Sequence, residues 1–166
     1  MSSTAQQAVA AIRAGGVAVI PTDTVYGLAA SGRSEAAARA LYALKGRDAT
    51  RPTALVLASV EVLRTCLSEL DLRAAGIVEA LLPGPYTLVL PNPARRFPWL
   101  NGARPDAIGV RVPALAGPGR EVLDAVEVLI ATSANLPGGP DPRTLLEVPV
   151  ALREAAGAVV DGGALP

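Results

Sequence analysis

Three side chains within residues 21–28 carry hydroxyl groups suited to binding a small polar ligand, because a hydroxyl both donates and accepts hydrogen bonds. They are Thr22, Thr24 and Tyr26. Residues 17–20 form a short, β-branched apolar run that is typical of a buried strand, so the hydroxyls are predicted to lie at a strand end. We expect Pro21 to stop strand pairing there and Gly27 to allow a close approach of the backbone. A capped turn, in which the hydroxyls bond only backbone groups, explains the same residues equally well.

A second polar segment follows the apolar run at residues 128–131. It contains Thr132, Ser133 and Asn135, and it leads into a turn rich in proline and glycine at residues 136–140. Small hydroxyl and amide groups at a strand end suit ligand binding here as they do in the first segment. An ordinary asparagine turn is the other interpretation of this segment.

The positive charges include a local cluster. Lys45 is the only lysine among fifteen lysine and arginine residues, and Arg47 and Arg51 follow it closely. A helix that begins after Ser34 would place Lys45 at its C-terminal end, where the macrodipole stabilises a cation by about 0.3–1 kcal/mol. That effect accounts for Lys45 and Arg47 but does not require Arg51. Three cations near one loop therefore predict an anion-binding site.

One further arginine stands out because of its surroundings. Arg111 lies within the apolar run at residues 108–112, which is predicted to form a strand. A charge inside a strand must either reach the end of the sheet or find a partner. We favour a ligand as that partner.

The absence of certain motifs narrows the range of functions. The chain contains no histidine, which excludes Ser-His-Asp and Cys-His hydrolases and histidine-based zinc sites in their usual forms. It also lacks the Gly-x-x-x-x-Gly-Lys-Ser/Thr and Gly-x-Gly-x-x-Gly patterns of common nucleotide-binding folds. A nucleotide would therefore have to bind in another way.

Composition predicts one folded domain that spans residues 1–166. Hydrophobic residues make up 51% of the chain and charged residues 18%, a balance that excludes disorder. We expect a soluble, cytoplasmic protein without a membrane partner, because no apolar run reaches the roughly 18 residues of a membrane span and no signal peptide is recognisable. The formal net charge of zero gives no argument for nucleic-acid binding. Cys66 has apolar neighbours and is expected to be buried rather than reactive.

The elements that position these residues alternate along the chain. Helix caps are predicted at residues 2–4, Ser34, Ser59 and Asp71. Strands are predicted at residues 17–20, 54–57, 86–90, 108–112, 128–131 and 158–160. The proline-rich segment at residues 91–105 is expected to be a surface loop that could act as a lid. The pattern indicates an α/β fold with a mixed sheet.

Six motifs together resemble a known family, the YrdC-like threonylcarbamoyl-adenylate synthases. They are Pro-Thr-Asp-Thr-Val-Tyr-Gly-Leu from Pro21, Lys-Gly-Arg from Lys45, Pro-Gly-Pro from Pro83, Gly-Val-Arg-Val-Pro from Gly109, Ser-Ala-Asn from Ser133 and Asp-Gly-Gly from Asp161. Their order and spacing match those of the family over nearly the whole chain. The resemblance implies a twisted sheet, mixed parallel and antiparallel, with flanking helices and a concave ligand face.

The resemblance also implies an activity and a set of ligand-binding residues. Members of the family combine L-threonine, bicarbonate and ATP into threonylcarbamoyl-AMP and pyrophosphate, and a downstream transferase uses the product to modify adenosine 37 of tRNA. The positions that match threonine-binding residues are Thr24, Gly109, Arg111 and Ala131. The positions assigned to ATP are Lys45, Arg47, Arg51, Ser133 and Asn135. Mg²⁺ is expected with the phosphates, although the sequence does not identify its ligands.

Several departures from the family pattern keep a second function open. Pro137 and Asp141 replace two hydroxyl residues, Asp48 replaces a proline, and Val56 stands where a polar residue can occur. The Gly-x-x-Ser-Thr segment that follows Asp-Gly-Gly in the family does not occur. These changes affect the expected ATP affinity more than the fold. The alternatives are a non-catalytic paralogue that binds tRNA, double-stranded RNA or a small metabolite, and a carbamoyl-adenylate-forming relative.

Overall fold

The computed structural model describes all residues from Met1 to Pro166, folded around one seven-stranded sheet. The strands are β1 (Ala18–Pro21), β2 (Tyr26–Ser31), β3 (Leu55–Leu57), β4 (Leu88–Pro91), β5 (Ala107–Arg111), β6 (Val128–Ser133) and β7 (Ala158–Val159). The helices are α1 (Ser3–Arg13), α2 (Glu35–Lys45), α3 (Val60–Cys66), α4 (Leu72–Leu81), α5 (Gly117–Val126) and α6 (Val150–Ala155). None of them is long and apolar enough to cross a membrane.

The predicted helix caps are confirmed. The side chains of Ser2, Ser34, Ser59 and Asp71 accept hydrogen bonds from backbone N–H groups in the first turns of α1, α2, α3 and α4. At the other end of α2, Gly46 adopts the left-handed conformation that ends many helices. This end determines where Lys45 and the following arginines lie.

The sheet is mixed, as predicted, and its strand order is β4-β5-β3-β6-β2-β1-β7. β1 and β2 form an antiparallel hairpin, whereas β3 pairs in parallel with β5 and antiparallel with β6. The ends of β1 and β6 therefore lie at the same edge as the start of β2. This topology brings the two polar segments of the sequence together, because Ser133 pairs with Gly27.

Helices cover the two faces of the sheet unequally. The larger core, which includes Val19 and Leu55, lies between the sheet and α2, α3, α4 and α6. On the opposite face, α1 and α5 cover Ile20 and Leu129 in the central strands. No helix covers β3, β5 and β4 on this second face. The alternate residues of β5 that point there, among them Arg111, are consequently only half-buried.

One expectation about the first hairpin is wrong. Residues 26–31 form β2, although the sequence pattern predicts a loop before α2. The ladder between β1 and β2 ends at Pro21, as expected, with Pro21 itself still opposite Tyr26. Proline is tolerated there because the hairpin bond at this end comes from the neighbouring Thr22 N–H to Val25 O, at 3.1 Å.

The segment at residues 91–105 is a packed loop rather than a free lid. Leu100 is buried in the larger core, and the buried Asn92 donates hydrogen bonds to the carbonyl oxygens of Arg96 and Pro105. Arg96 also forms an ion pair with Glu69, which lowers the pKa of that carboxyl to about 2. These contacts fix the loop to the body of the protein.

Candidate active site

The open face of the sheet contains a cleft of about 170 Å³, which we call the central cleft. Its apolar walls include Ile20, Val56, Leu115, Leu123 and Leu129, and its polar lining includes Thr22, Asp23, Thr24, Thr87, Arg111, Thr132 and Ser133. Ile20, Val56 and Leu129 come from strands β1, β3 and β6, whereas Leu115 precedes α5 and Leu123 lies within it. A small, partly apolar cleft with a few polar groups suits a small metabolite such as an amino acid.

An ion pair between Arg111 and Asp23 lies in the central cleft. Arg111 is the last residue of β5, and Asp23 belongs to the turn between β1 and β2. The side chains are only 21% and 17% exposed, so the pair is well shielded from water. The sequence pattern predicts a ligand for Arg111 and no role for Asp23. The requirement for a partner to a strand-borne charge is the signal that could have suggested this acid.

The turn between β1 and β2 is held by one of its predicted hydroxyls. Thr22 Oγ1 donates to Val25 O at 2.6 Å and accepts from the backbone N–H of Val25 at 3.3 Å. The capped-turn interpretation is therefore correct for Thr22. Thr24 is exposed and lines the central cleft, where its hydroxyl is available to a ligand.

Tyr26 does not present its hydroxyl to a ligand. Its side chain is fully buried, and its hydroxyl lies 3.0 Å from Asp161 Oδ1 and 2.7 Å from Gly163 O. The backbone N–H of Gly162 donates a hydrogen bond to the Tyr26 hydroxyl oxygen. Burial and the adjacent Asp161 raise the pKa of the Tyr26 phenol despite that bond. Tyr26 thus anchors the C-terminal Asp-Gly-Gly motif beneath the hairpin.

A second cleft, the cationic cleft, lies on the other side of the end of β6. It measures about 400 Å³ and has no hydrophobic residue in its lining. Lys45, Arg47, Arg51, Ser133 and Asn135, the five positions assigned to ATP, all line it together with Asp48, Thr132, Pro137 and glycines 46 and 138. Thr132 and Ser133 line both clefts. The two predicted ligand sites therefore adjoin at one strand end.

Lys45 is buried and fully engaged by the protein. Its ammonium donates to the carbonyl oxygen and hydroxyl of Ser133 and to Asn135 Oδ1, three acceptors for three N–H bonds. Burial lowers the pKa of Lys45, and Arg47 lowers it further, whereas Asp141 opposes the shift. In this conformation Lys45 joins the end of α2 to the turn after β6 rather than offering free donors to a ligand.

Arg47 and Arg51 differ in their burial and in their hydrogen bonds to the protein. Arg47 donates one guanidinium bond to Pro52 O at 2.8 Å, and its buried Nε has no partner. Arg51 is exposed at the mouth of the cleft. Asp48 lies between them in sequence, and bonds from the Thr50 N–H and hydroxyl, both 2.8 Å long, lower the pKa of its carboxyl. The guanidinium groups are therefore the cations best placed to meet an anion.

The remaining predicted positions fall in two cavities. Ala131 lines the central cleft, whereas Gly109 lines a neighbouring cavity of about 250 Å³ that shares Ala54 and Thr87 with it. A side chain at Gly109 would place a Cβ atom 3.2 Å from that of Ala54. Gly109 therefore keeps β5 close to the segment before β3. Thr87 and Thr132 are lining residues that do not belong to the predicted ligand-binding positions.

The side chains do not form a site for a resident metal ion. No group of three or more histidine, cysteine, aspartate or glutamate residues is arranged to hold one. The carboxylates at or beside the cationic cleft are Asp48 and Asp141, and Asp141 accepts a hydrogen bond from Asn135 Nδ2 at 3.2 Å. This donor set fits an ion such as Mg²⁺ only if a polyphosphate supplies most of the ligands.

The mixed sheet and its paired clefts define an α/β protein with two adjoining clefts, one small and partly apolar and the other cationic. The chain matches the Sua5/YciO/YrdC family model, described as telomere recombination, over residues 10–166. The protein belongs to the Sua5/YciO/YrdC family. The resemblance drawn from its six motifs is thereby confirmed.

Individual relatives agree with this assignment. The chain is 37% identical over 160 residues to a threonylcarbamoyl-AMP synthase of Xanthomonas euvesicatoria, covering 94% of this chain and 84% of the relative. It is 43% identical over 107 residues to the human threonylcarbamoyl-AMP synthase, covering 64% of this chain and 37% of the human protein. Sua5 from Pyrococcus abyssi, solved with L-threonine, superposes with a TM-score of 0.85 at 31% identity, covering 97% of this chain and 47% of Sua5. The chain thus spans less than half the length of some relatives.

Proposed function

We propose that the protein is an L-threonylcarbamoyladenylate synthase, a nucleotidyltransferase that forms threonylcarbamoyl-AMP and pyrophosphate from L-threonine, bicarbonate and ATP. The observation that carries the proposal is the junction of the two clefts at Thr132 and Ser133. An amino-acid-sized cleft that opens beside a cationic one is the arrangement needed to join an amino acid derivative to a nucleotide. The named relatives support the same activity.

The central cleft would bind threonine. The guanidinium of Arg111 suits the carboxylate because its planar N–H groups can donate two parallel bonds. Thr24 offers an exposed hydroxyl, and Ala131 leaves the floor of the cleft open to the ligand. Gly109 would act indirectly, by keeping the backbone beside the cleft closely packed.

The cationic cleft would bind the phosphates of ATP. Arg47 and Arg51 contact and neutralise them, while Lys45 holds Ser133 and Asn135 in place through its three hydrogen bonds. Mg²⁺ bound with the nucleotide would neutralise the phosphates further. Asp48, which lines this cleft, is the carboxylate that would help to hold the ion.

The reaction requires positioning more than side-chain chemistry. The amine of threonine combines with bicarbonate to give a carbamate and water. A carbamate oxygen then attacks the α-phosphorus of ATP, and pyrophosphate leaves with the bonding electrons. The protein must hold the two anions together and neutralise the charge that develops on pyrophosphate, which agrees with a chain that lacks histidine.

Release of pyrophosphate tests the proposal directly. Purified protein should release pyrophosphate from ATP only when both threonine and bicarbonate are present, and Arg47→Ala should reduce the rate strongly. Glu35→Gln, which breaks an exposed ion pair with Arg39 on α2, is the matched control and should leave the rate unchanged. A folded protein that turns over no ATP under these conditions would overturn the proposal.

Asp141 favours one alternative, a non-catalytic paralogue that binds tRNA, double-stranded RNA or a metabolite. Its negative charge beside Asn135 weakens a polyphosphate site. Salt-sensitive binding of tRNA without pyrophosphate release would identify such a binder. For the enzyme, the expected partner is instead a downstream transferase that passes the threonylcarbamoyl group to adenosine 37 of tRNA.

A further inference from the structure

The ion pair between Arg111 and Asp23 differs from every other ion pair in the protein. The other four join side chains that are each at least 35% exposed, and two of them link residues one helical turn apart. Arg111 and Asp23 are instead shielded and come from positions 88 residues apart in the chain. Surface pairs contribute little and carry little information about ligands. A shielded pair that lines a cleft is a candidate for ligand recognition.

The charge balance of the central cleft indicates which ligand it suits. Arg111 and Asp23 are the charged residues of its lining, so it presents one positive and one negative group. A simple carboxylate that bound Arg111 would lie close to the Asp23 carboxylate and be repelled by it. An α-amino acid carries a carboxylate and an ammonium group a short distance apart. It can satisfy both members of the pair together.

We infer that Asp23 is a substrate-binding residue that accepts a hydrogen bond from the α-ammonium group of the amino acid while Arg111 binds its carboxylate. Without ligand the two side chains neutralise each other, and the zwitterion replaces that contact with hydrogen bonds to both side chains. The inference deepens the proposed function and rests on it. It makes the cleft selective for free amino acids over hydroxy acids of the same shape.

A purely structural role for Asp23 gives a different pattern of effects. If Asp23 only orients Arg111, its loss weakens every ligand that has a carboxylate. If Asp23 binds the ammonium group, its loss weakens only ligands that have an amine. The hydroxy acid analogue of threonine, with a hydroxyl in place of the amine, separates the two roles.

The test is calorimetric titration of wild type and Asp23→Asn with L-threonine and with this hydroxy acid. Asp23→Asn should weaken threonine binding by about tenfold or more, as expected for the loss of a charge-assisted hydrogen bond. The hydroxy acid should bind Asp23→Asn as tightly as wild type or more tightly, because the repelling carboxylate is gone. Asp124→Asn, which breaks an exposed Asp–Arg pair on α5, is the control and should change neither affinity.

Equal weakening of both ligands in Asp23→Asn would overturn the assignment of Asp23 and leave the proposed function intact. Wild-type protein that prefers another amino acid, with the same dependence on Asp23, would support the assignment and overturn the proposed substrate. Wild-type protein that binds no amino acid would overturn both. A thermal melt of Asp23→Asn with a wild-type transition ensures that lost binding is not lost folding.

Discussion

The two clefts beside the end of β6 differ in the way they treat charge. The central cleft has apolar walls and a shielded ion pair, so its charges are neutralised within the protein. The cationic cleft has no hydrophobic residue in its lining, and Arg51 is exposed at its mouth. Charged side chains that are paired within the protein favour a ligand whose own charges fit both partners. Charged side chains that are exposed to solvent can neutralise anions of different shapes.

In the proposed function, this difference lets one short chain bind two unlike substrates. Thr132 and Ser133 line both clefts, so the two ligands would meet there. In this proposal, selection of the amino acid and neutralisation of phosphate are separate tasks of adjoining surfaces.

Removing one arginine from each cleft in turn should have the largest effect on the KM values. Arg111→Ala is expected to raise the KM for threonine by about 100-fold or more, because it removes a bidentate partner and leaves Asp23 unpaired, while the KM for ATP changes little. Arg47→Ala should raise the KM for ATP instead. Steady-state pyrophosphate release with each substrate varied separately measures both constants. Equal effects of each variant on both substrates would contradict the division of roles.

Removing the buried lysine should affect stability as well as ATP. Lys45→Met keeps the length of the side chain but deprives Ser133 and Asn135 of a donor. We expect a loss of about 1–3 kcal/mol in the free energy of unfolding, together with a higher KM for ATP. Urea denaturation followed by circular dichroism measures the first quantity. A variant with wild-type stability and wild-type KM would show that Lys45 does not position the turn.

Removing the buried hydroxyl of Tyr26 should lower the free energy of unfolding by an amount that depends on pH. Tyr26→Phe removes the hydroxyl that holds Asp161 and Gly163, and should cost about 1–3 kcal/mol at neutral pH. Because folding raises the pKa of this phenol above its usual value of 10.0, its contribution is complete below that pH and declines as the pH rises further. The difference in unfolding free energy between wild type and Tyr26→Phe should therefore shrink above pH 10. A constant difference would contradict the raised pKa.

The smallest effect is expected at the altered turn of the cationic cleft. Asp141→Ser removes a negative charge that lies near Lys45 and Asn135 and restores a hydroxyl found in the family pattern. The KM for ATP should fall by about fivefold, corresponding to repulsion of about 1 kcal/mol. The KM for threonine should not change. An unchanged KM for ATP would place Asp141 outside the nucleotide site.

The helices and most strands could be predicted from the sequence because cap residues and apolar runs are local signals. β2 could not, since Tyr26 to Ser31 lacks the usual density of β-branched residues and is made a strand by its pairing with β1 and β6. The five positions assigned to ATP are connected by the family resemblance rather than by a local pattern, and they line one cleft.

Contacts between distant segments could not be predicted in the same way. The pairing of Asp23 with Arg111 and the burial of Tyr26 under the C-terminal motif depend on the sheet order. The three acceptors of Lys45 likewise lie 88 to 90 residues further along the chain. No local pattern encodes such partners. Only the assembled topology shows that a charge predicted to bind a ligand already has a partner in the protein.

A crystal structure with L-threonine and a non-hydrolysable ATP analogue tests the two-cleft site most directly. We predict that the threonine carboxylate lies within hydrogen-bond distance of Arg111 in the central cleft, and the triphosphate beside Arg47 and Arg51 in the cationic cleft. The two ligands should approach each other at Thr132 and Ser133. Binding of both ligands in one cleft, or a triphosphate bound away from Arg47 and Arg51, would contradict this division of the site.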